Sequence, residues 1–313
     1  MRRTVGYIAL VAGLVLIFIS PMLRWYAFPR VAKAPTDVYD VTVSNGRGSY
    51  FSATSLTVVG PINVQNIAVA KGDPKTSNDD VAVISIFNRT LNADAQTDID
   101  YTQDVYAMDR VSGYAVHCCG ERPRHEGLTL KFPFDTRRGT YQFYDSTAHK
   151  AYPATYVREQ KVHGLQTYMF TSVVPPVQIA TMALPGFLAG HPELTNVPTL
   201  RYYQAYTVVW VEPFTGAVIK AVQRNKQWLT SVAGTKLVTL ADIHIANSPG
   251  SIEHTAAQIR TKYAQLRLVR DQMPVFGPIV GIVLIAVGLF LLTRRERSLA
   301  APVAARPAAE TTA

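Results

Sequence analysis

Cys118 and Cys119 are neighbours, and they are the only two cysteines in the chain. A thiolate is both a nucleophile and a metal ligand, and a histidine beside it lowers the thiol pKa, so His117 next to Cys118 would suit thiol chemistry. The surrounding sequence gives that chemistry little help. There is no Cys-x-x-Cys spacing, and although His125 is near, no second cysteine pair completes a ligand set. Oxidation is the other fate. Adjacent Cα atoms across a trans peptide lie about 3.8 Å apart, less than the roughly 4.4–6.8 Å of an ordinary disulfide. A bond between Cys118 and Cys119 would therefore close a tight ring and lock a turn. The disulfide and the pair of thiols both stay open on the sequence alone.

Three acids recur in one pattern. Residues 106–115, 142–151 and 209–218 each run an aromatic or apolar strand into Asp109, Asp145 or Glu212 and then restart at Gly113, His149 or Gly216. The pattern predicts hairpins whose carboxylate accepts turn N–H groups and whose restart residue takes φ > 0. These are turn acids rather than catalytic carboxylates. The histidines, at 117, 125, 149, 163, 191, 244 and 254, show no ligand spacing, and nucleophile elbows, zinc-protease helices, phosphate loops and dinucleotide fingerprints are absent. The chain is expected to be no enzyme, to hold no metal and to use no cofactor.

The elements that position these residues begin with two apolar runs, 5–19 and 275–292. A bilayer core needs about 20 mostly apolar helical residues, and residues 4–23 supply them without a charge. Arg2 and Arg3 precede the first run and Arg294, Arg295 and Arg297 follow the second, which by the positive-inside rule places both termini in the cytoplasm. A cleaved signal peptide ending near Ala34 is the rival reading, but Arg24, Trp25 and Tyr26 look like an interfacial belt. The expected layout is a cytoplasmic start at 1–3 and a first span at 4–23. An extracytoplasmic domain at 24–250 and an amphipathic stalk helix at 251–273 follow. A second span at 274–293 then leads to a basic, disordered tail at 294–313. The net charge of +9 suits an anionic membrane surface, and no nucleic-acid motif claims it.

Between the spans the pattern is β. Runs at 38–43, 55–59, 62–69, 81–87, 129–134, 202–211 and 236–245 are rich in β-branched and aromatic residues and bounded by Gly, Pro, Asn or Asp. The fold class expected is a mainly β, antiparallel sandwich or distorted barrel. Residues 173–190 are broken by Pro175, Pro176, Pro185 and Gly186. They read as a loop packed on the core or as the lip of an apolar cavity, with Met182, Leu184, Phe187 and Leu188 as candidate lipid contacts. From Ser251, a fair N-cap, apolar residues recur at helical spacing, while Arg260, Lys262, Arg267 and Arg270 occupy other faces as candidate head-group contacts.

Taken together, the first span, the Asp109–Gly113 turn, Cys118-Cys119-Gly120, the Glu212–Gly216 hairpin and the closing span resemble the actinobacterial "porin A" family over residues 3–297. That resemblance implies a plasma-membrane protein of mycolate-bearing bacteria, from a family linked to polar growth and to trehalose mycolate handling beside a large exporter. It carries no catalytic residues. The porin label sits badly with short, mixed strands and helical spans, because an outer-membrane barrel needs many strands of about 9–11 residues. The function expected is therefore non-enzymatic binding or trafficking of lipid or glycolipid outside the plasma membrane. The expected partners are membrane lipids or glycolipids and envelope transport or growth proteins, with no nucleic acid. A scaffold coupling growth machinery across the membrane is the alternative.

Overall fold

The computed structural model of the chain describes residues 2–293; the tail expected over 294–313 lies outside the described residues. The chain forms two compact units, one drawn from both ends of the sequence and one of Arg30–Leu266.

The first unit is a pair of helices. α1 (Arg2–Met22) runs through a π-helical turn at Leu23–Ala27 into the short α2 (Phe28–Val31). At the other end α3 (Pro249–Arg267), which up to Leu266 belongs to the second unit, leads through a second π-helical turn, Leu268–Gln272, to α4 (Met273–Thr293). The stretches Arg3–Val31 and Pro249–Thr293 are each long and apolar enough to cross a membrane. α1 and α4 touch backbone to backbone at glycines. A Cβ on Gly13 would stand 2.6 Å from the Gly281 carbonyl oxygen, and one on Gly288 would stand 2.8 Å from that of Gly6. Pairing 6 with 288 and 13 with 281 makes the helices antiparallel. In lipid no hydrophobic force separates helix from tail, so close small-residue contact is what holds such a pair. Val11, Phe18, Ile282 and Phe290 remain exposed around it, a surface suited to hydrocarbon.

The second unit is one antiparallel sheet, with ten strands among the described residues. They are β1 (Tyr39–Ser52), β2 (Thr57–Gly72), β3 (Val81–Asn92), β4 (Thr97–Asp109), β5 (Thr140–Asp145), β6 (Lys150–Val162), β7 (Leu165–Pro185), β8 (Asn196–Glu212), β9 (Ala217–Ser231) and β10 (Lys236–Asn247). Their spatial order is β4-β3-β2-β1-β10-β9-β8-β7-β6-β5. Successive strands are neighbours everywhere except between β4 and β5, and the first strand pairs with the last. The sheet curls until its two edges face each other. Tyr106 of β4 and Tyr144 of β5 have ring centroids 6.4 Å apart, and Tyr203 of β8 donates to Asp145 of β5 at 2.9 Å. Of the two arrangements expected, this half-barrel is the barrel-like one.

Alternation explains the two faces. Val209 and Val211 of β8 point inward and meet Leu128, Phe132, Ala154 and Phe170 in an apolar core. Trp210 between them points outward, where Ile252 and Ala256 of α3 cover it together with Val162, Leu165 and Ile219. Ser248, with Pro249 at the first helical position, caps α3 by accepting the Ser251 N–H at 3.2 Å. The hydroxyl of Ser251, expected as the cap, instead accepts the Val43 N–H at 2.9 Å.

Two local expectations are corrected. Residues 173–185, read as loop, are the second half of β7, whose pairing with β8 skips between Val174 and Val177 and again between Gln178 and Ala180. Those irregularities accommodate Pro175 and Pro176, which have no ladder N–H to give. Residues 129–134, read as strand, belong instead to the long segment 110–139 between β4 and β5. Their apolar run marks burial, since Phe132 is fully buried in the core.

Candidate functional site

The site grows from the gap between β4 and β5, which segment 110–139 fills. On the β4 side the Val116 N–H donates to the Ala107 carbonyl at 2.8 Å, and the Asp109 N–H to that of Tyr114 at 2.8 Å. Within the segment the Ala115 N–H donates to Gly127 at 2.8 Å. On the β5 side the Leu128 N–H donates to Gln142 at 2.7 Å and the Tyr144 N–H to Leu128 at 2.8 Å. A chain of backbone hydrogen bonds therefore crosses from one edge strand to the other. The circuit around the interior is closed at this level.

The turn acids anchor this closure. Asp109 Oδ1 accepts the N–H groups of Val111 at 3.1 Å and Ser112 at 2.6 Å. Asp145 Oδ1 accepts those of Thr147 and Ala148, and Glu212 those of Phe214 and Thr215. Gly113, His149 and Gly216 all have φ > 0, as the repeat requires. Asp145 does one thing more, since its second oxygen receives the Tyr203 hydroxyl.

Inside the closed gap lies a polar knot, buried at Glu121 and His125 and open to solvent at His117. Cys118 and Cys119 form a disulfide, and the Glu121 N–H donates to the Cys118 carbonyl at 3.0 Å. The Glu121 carboxylate faces His117 Nδ1 at 3.0 Å through one oxygen. Its other oxygen accepts the His125 backbone N–H at 2.7 Å and lies 3.0 Å from His125 Nδ1. The His125 ring is fully buried, packed 4.0 Å from the Tyr106 ring and 4.8 Å from that of Tyr144. Burial pushes this imidazole below the ordinary histidine range against the opposing pull of Glu121. A neutral ring beside a carboxylate donates through Nδ1, which leaves Nε2 as an acceptor with no protein partner. Burial raises the Glu121 carboxyl, but the His125 N–H and the two imidazoles outweigh it and hold it below the usual carboxylate range.

Polar side chains line the inner face beyond the knot. In register across β4, β3, β2, β1 and β10 stand Asp100, Thr90, Asn66, Ser44 and Asn247, with Asn66 donating to Thr90 and Asn247 to Ser44, each at 3.0 Å. On β9, Gln223, Asn225 and Gln227 share the face that Tyr203 presents from β8, and Arg201 donates to Gln227. The opposite face of β1–β4 carries Val41, Val43, Ile67, Val69, Phe87 and Tyr101 in the alternate register. Neither face is uniform: the inner one also carries Val64, Ile84, Ile86 and Ile243, and the outer one also carries Arg47, Gln65, Arg89 and Gln103.

The residues singled out from sequence fall in several places. Cys118 and Cys119 resolve to the disulfide and sit beside the knot. Met182, Leu184, Phe187 and Leu188 do not converge: Leu184 is buried while Met182 and Phe187 stand exposed, and Leu188 borders a separate groove with Phe51, Val58 and Leu237. Arg260 donates to the His163 carbonyl at 2.7 Å. Arg267 and Arg270 lie 3.9 and 3.7 Å from Asp271, whereas Lys262 is exposed. Glu121 and the inner polar row are not among the residues the sequence points to, and His125 enters only as a histidine near the cysteine pair. The signals were present in the four-residue spacing of Glu121 from both histidines and in the alternating Asn88, Thr90 and Asn92 of β3.

Comparison with known proteins decides the family. A family model described as Porin PorA matches residues 5–290. The chain belongs to the porin PorA family. A porin PorA of Corynebacterium resistens is 22% identical over 224 residues, covering 57% of this chain and 54% of that protein. One of Corynebacterium amycolatum is 20% identical over 297 residues, covering 71% of this chain and 77% of that protein. The chain thus spans about half the length of the first of these curated relatives. Membership in a porin family and two helices long and apolar enough to cross a membrane fit a membrane or envelope protein. The membership also overturns the expectation of a non-pore protein that binds and traffics lipid, and lends nothing to the scaffold alternative. The physical ground for setting pores aside was short, mixed strands, yet nine of the ten strands here have 12 or more residues.

Proposed function

We propose that the chain is a non-enzymatic porin-type protein that passes small hydrophilic solutes through the interior of its curled sheet, with segment 110–139 as the plug. The observation that carries this reading is the backbone circuit that segment 110–139 completes between the edge strands β4 and β5, around an inner face that carries a row of polar side chains. The PorA name of its relatives points the same way. The helix pair is a poor route for water, because α1 beyond Thr4 and α4 are almost wholly apolar and offer no polar stripe. In this reading they are two antiparallel spans with both termini cytoplasmic, as the flanking arginines favour.

Purified full-length protein added to a planar lipid bilayer is expected to give discrete conductance steps. Replacing the inner pair by Asn66→Leu with Thr90→Val should lower the unit step several-fold while leaving the denaturation midpoint within about 1 kcal/mol of the parent, the scale of one net hydrogen bond. A bilayer that stays silent with well-folded protein would refute the proposal.

A further inference from the structure

We infer that the Cys118–Cys119 disulfide is a reversible thiol–disulfide exchange site, taking a dithiol reductant, and that its oxidised state latches segment 110–139 into the β4–β5 gap. The latch rests on the passage proposed above only for its effect on conductance. The release of the segment stands on geometry alone.

A disulfide between neighbours makes little sense as a staple. Its stabilising effect comes mainly from restricting the unfolded chain and grows with the loop it closes, and adjacent residues close the shortest loop there is. What the bond can fix is local conformation. Cys119 has φ 62° and Gly120 φ 80°, so the ring holds a non-glycine residue in the left-handed region that such residues avoid. That turn sets everything downstream. The Cys118 N–H donates to the Val116 carbonyl and the Cys118 carbonyl accepts the Glu121 N–H, each at 3.0 Å. Glu121 then clasps His117 and His125, and the Arg122 N–H and carbonyl pair with Val105 of β4. One bond therefore controls the clasp and its seam with the edge strand.

The site is open to a reductant. His117 and Gly120 are exposed and both cysteines are only half-buried, and a Cβ built on Gly120 would meet no atom within 4 Å. A thiolate of the dithiol attacks one cysteine sulfur, the S–S bond breaks, and the other cysteine leaves as a thiolate that takes up a proton. The second thiol of the reductant then attacks the mixed disulfide and frees the first cysteine. The protein gains two electrons and two protons, and the dithiol becomes a disulfide. With no other cysteine in the chain, the bond has no alternative partner to reshuffle with.

The test compares oxidised and dithiothreitol-reduced full-length protein by alkylation mass spectrometry, hydrogen exchange and bilayer conductance. Reduction should admit two alkyl groups in the folded state. Amides of 116–128 should exchange about tenfold faster or more, as expected for local release, with those of β8 and β9 unchanged. A Cys118→Ser, Cys119→Ser double variant should show the fast exchange without reductant and no response to it. Unchanged exchange on reduction, or loss of protection throughout the sheet, overturns the latch. Conductance that changes on reduction supports both readings. Faster exchange in a protein that never conducts leaves the latch standing and removes the pore, whereas conductance with exchange unmoved does the reverse.

Discussion

Lys131 shows how much the plug commits to burial. Its ammonium donates to the Val111 carbonyl at 2.9 Å and lies 4.0 Å from the centre of the Phe134 ring, yet burial, opposed by Asp109, pushes its pKa down to about 7. Below that value the folded and unfolded chains both hold the proton, and the cost of the buried charge is constant. Between about 7 and the ordinary value of 10.5 the unfolded chain keeps a proton that the folded chain has lost, so stability rises with pH. Above both values the gain is complete. Lys131→Met should flatten this rise across pH 7 to 10.5 and stabilise the protein at pH 6, read from denaturant midpoints of the two proteins. Parallel curves would show that Lys131 carries its charge in the fold. Beside it, Phe132→Ala should cost about 3–5 kcal/mol, the usual price of emptying a filled aromatic site. Of this neighbourhood the sequence reveals the turn acids, because an acid followed by small residues and Gly is a local signal. It hides the role of Glu121, since the burial that makes its clasp matter comes from Tyr106 and Tyr144 on strands far apart in the chain.

Strand geometry decides how closely the first and last strands pair. Gly46 of β1 faces β10 so closely that an added Cβ would lie within 2 Å of the His244 carbonyl oxygen, a separation no neighbouring side chain can yield because the clashing atom is backbone. Gly46→Ala should therefore pry β1 from β10 and destabilise the protein by several kcal/mol, in the range of severe backbone clashes, with amides of both strands losing hydrogen-exchange protection first. Protection lost first in β6 or β7 instead would show that the seam tolerates the methyl group. The same residue illustrates what patterning leaves out. Alternation located β1, β2, β3, β8 and β10 in part, but β7 was obscured by its prolines. Its breaks in register are visible only when the partner strand is in place. The gap between β4 and β5 was equally hidden, because residues 129–134 have strand-like composition and are used as filling.

At the scale of the whole chain, the body's stability draws on its own residues. The four buried apolar clusters involve side chains from Ala34 to Ile259 and no residue of α1 or α4. The ends of the body also meet, for Ser44 of β1 pairs with Asn247 of β10, so excising the helices opens no strand and exposes no edge. Residues 30–266 expressed alone should fold cooperatively, with a denaturant midpoint matching the β-sheet transition of the full chain within about 0.5 kcal/mol, as expected for surface-level changes. Circular dichroism and denaturant titration of the two proteins make the comparison. A fragment without cooperative unfolding would mean that the helix pair supplies part of the folding energy of the sheet. A matching midpoint would assign the helices to holding the protein in the membrane and leave the curled sheet, with its plug, as an independently folding device.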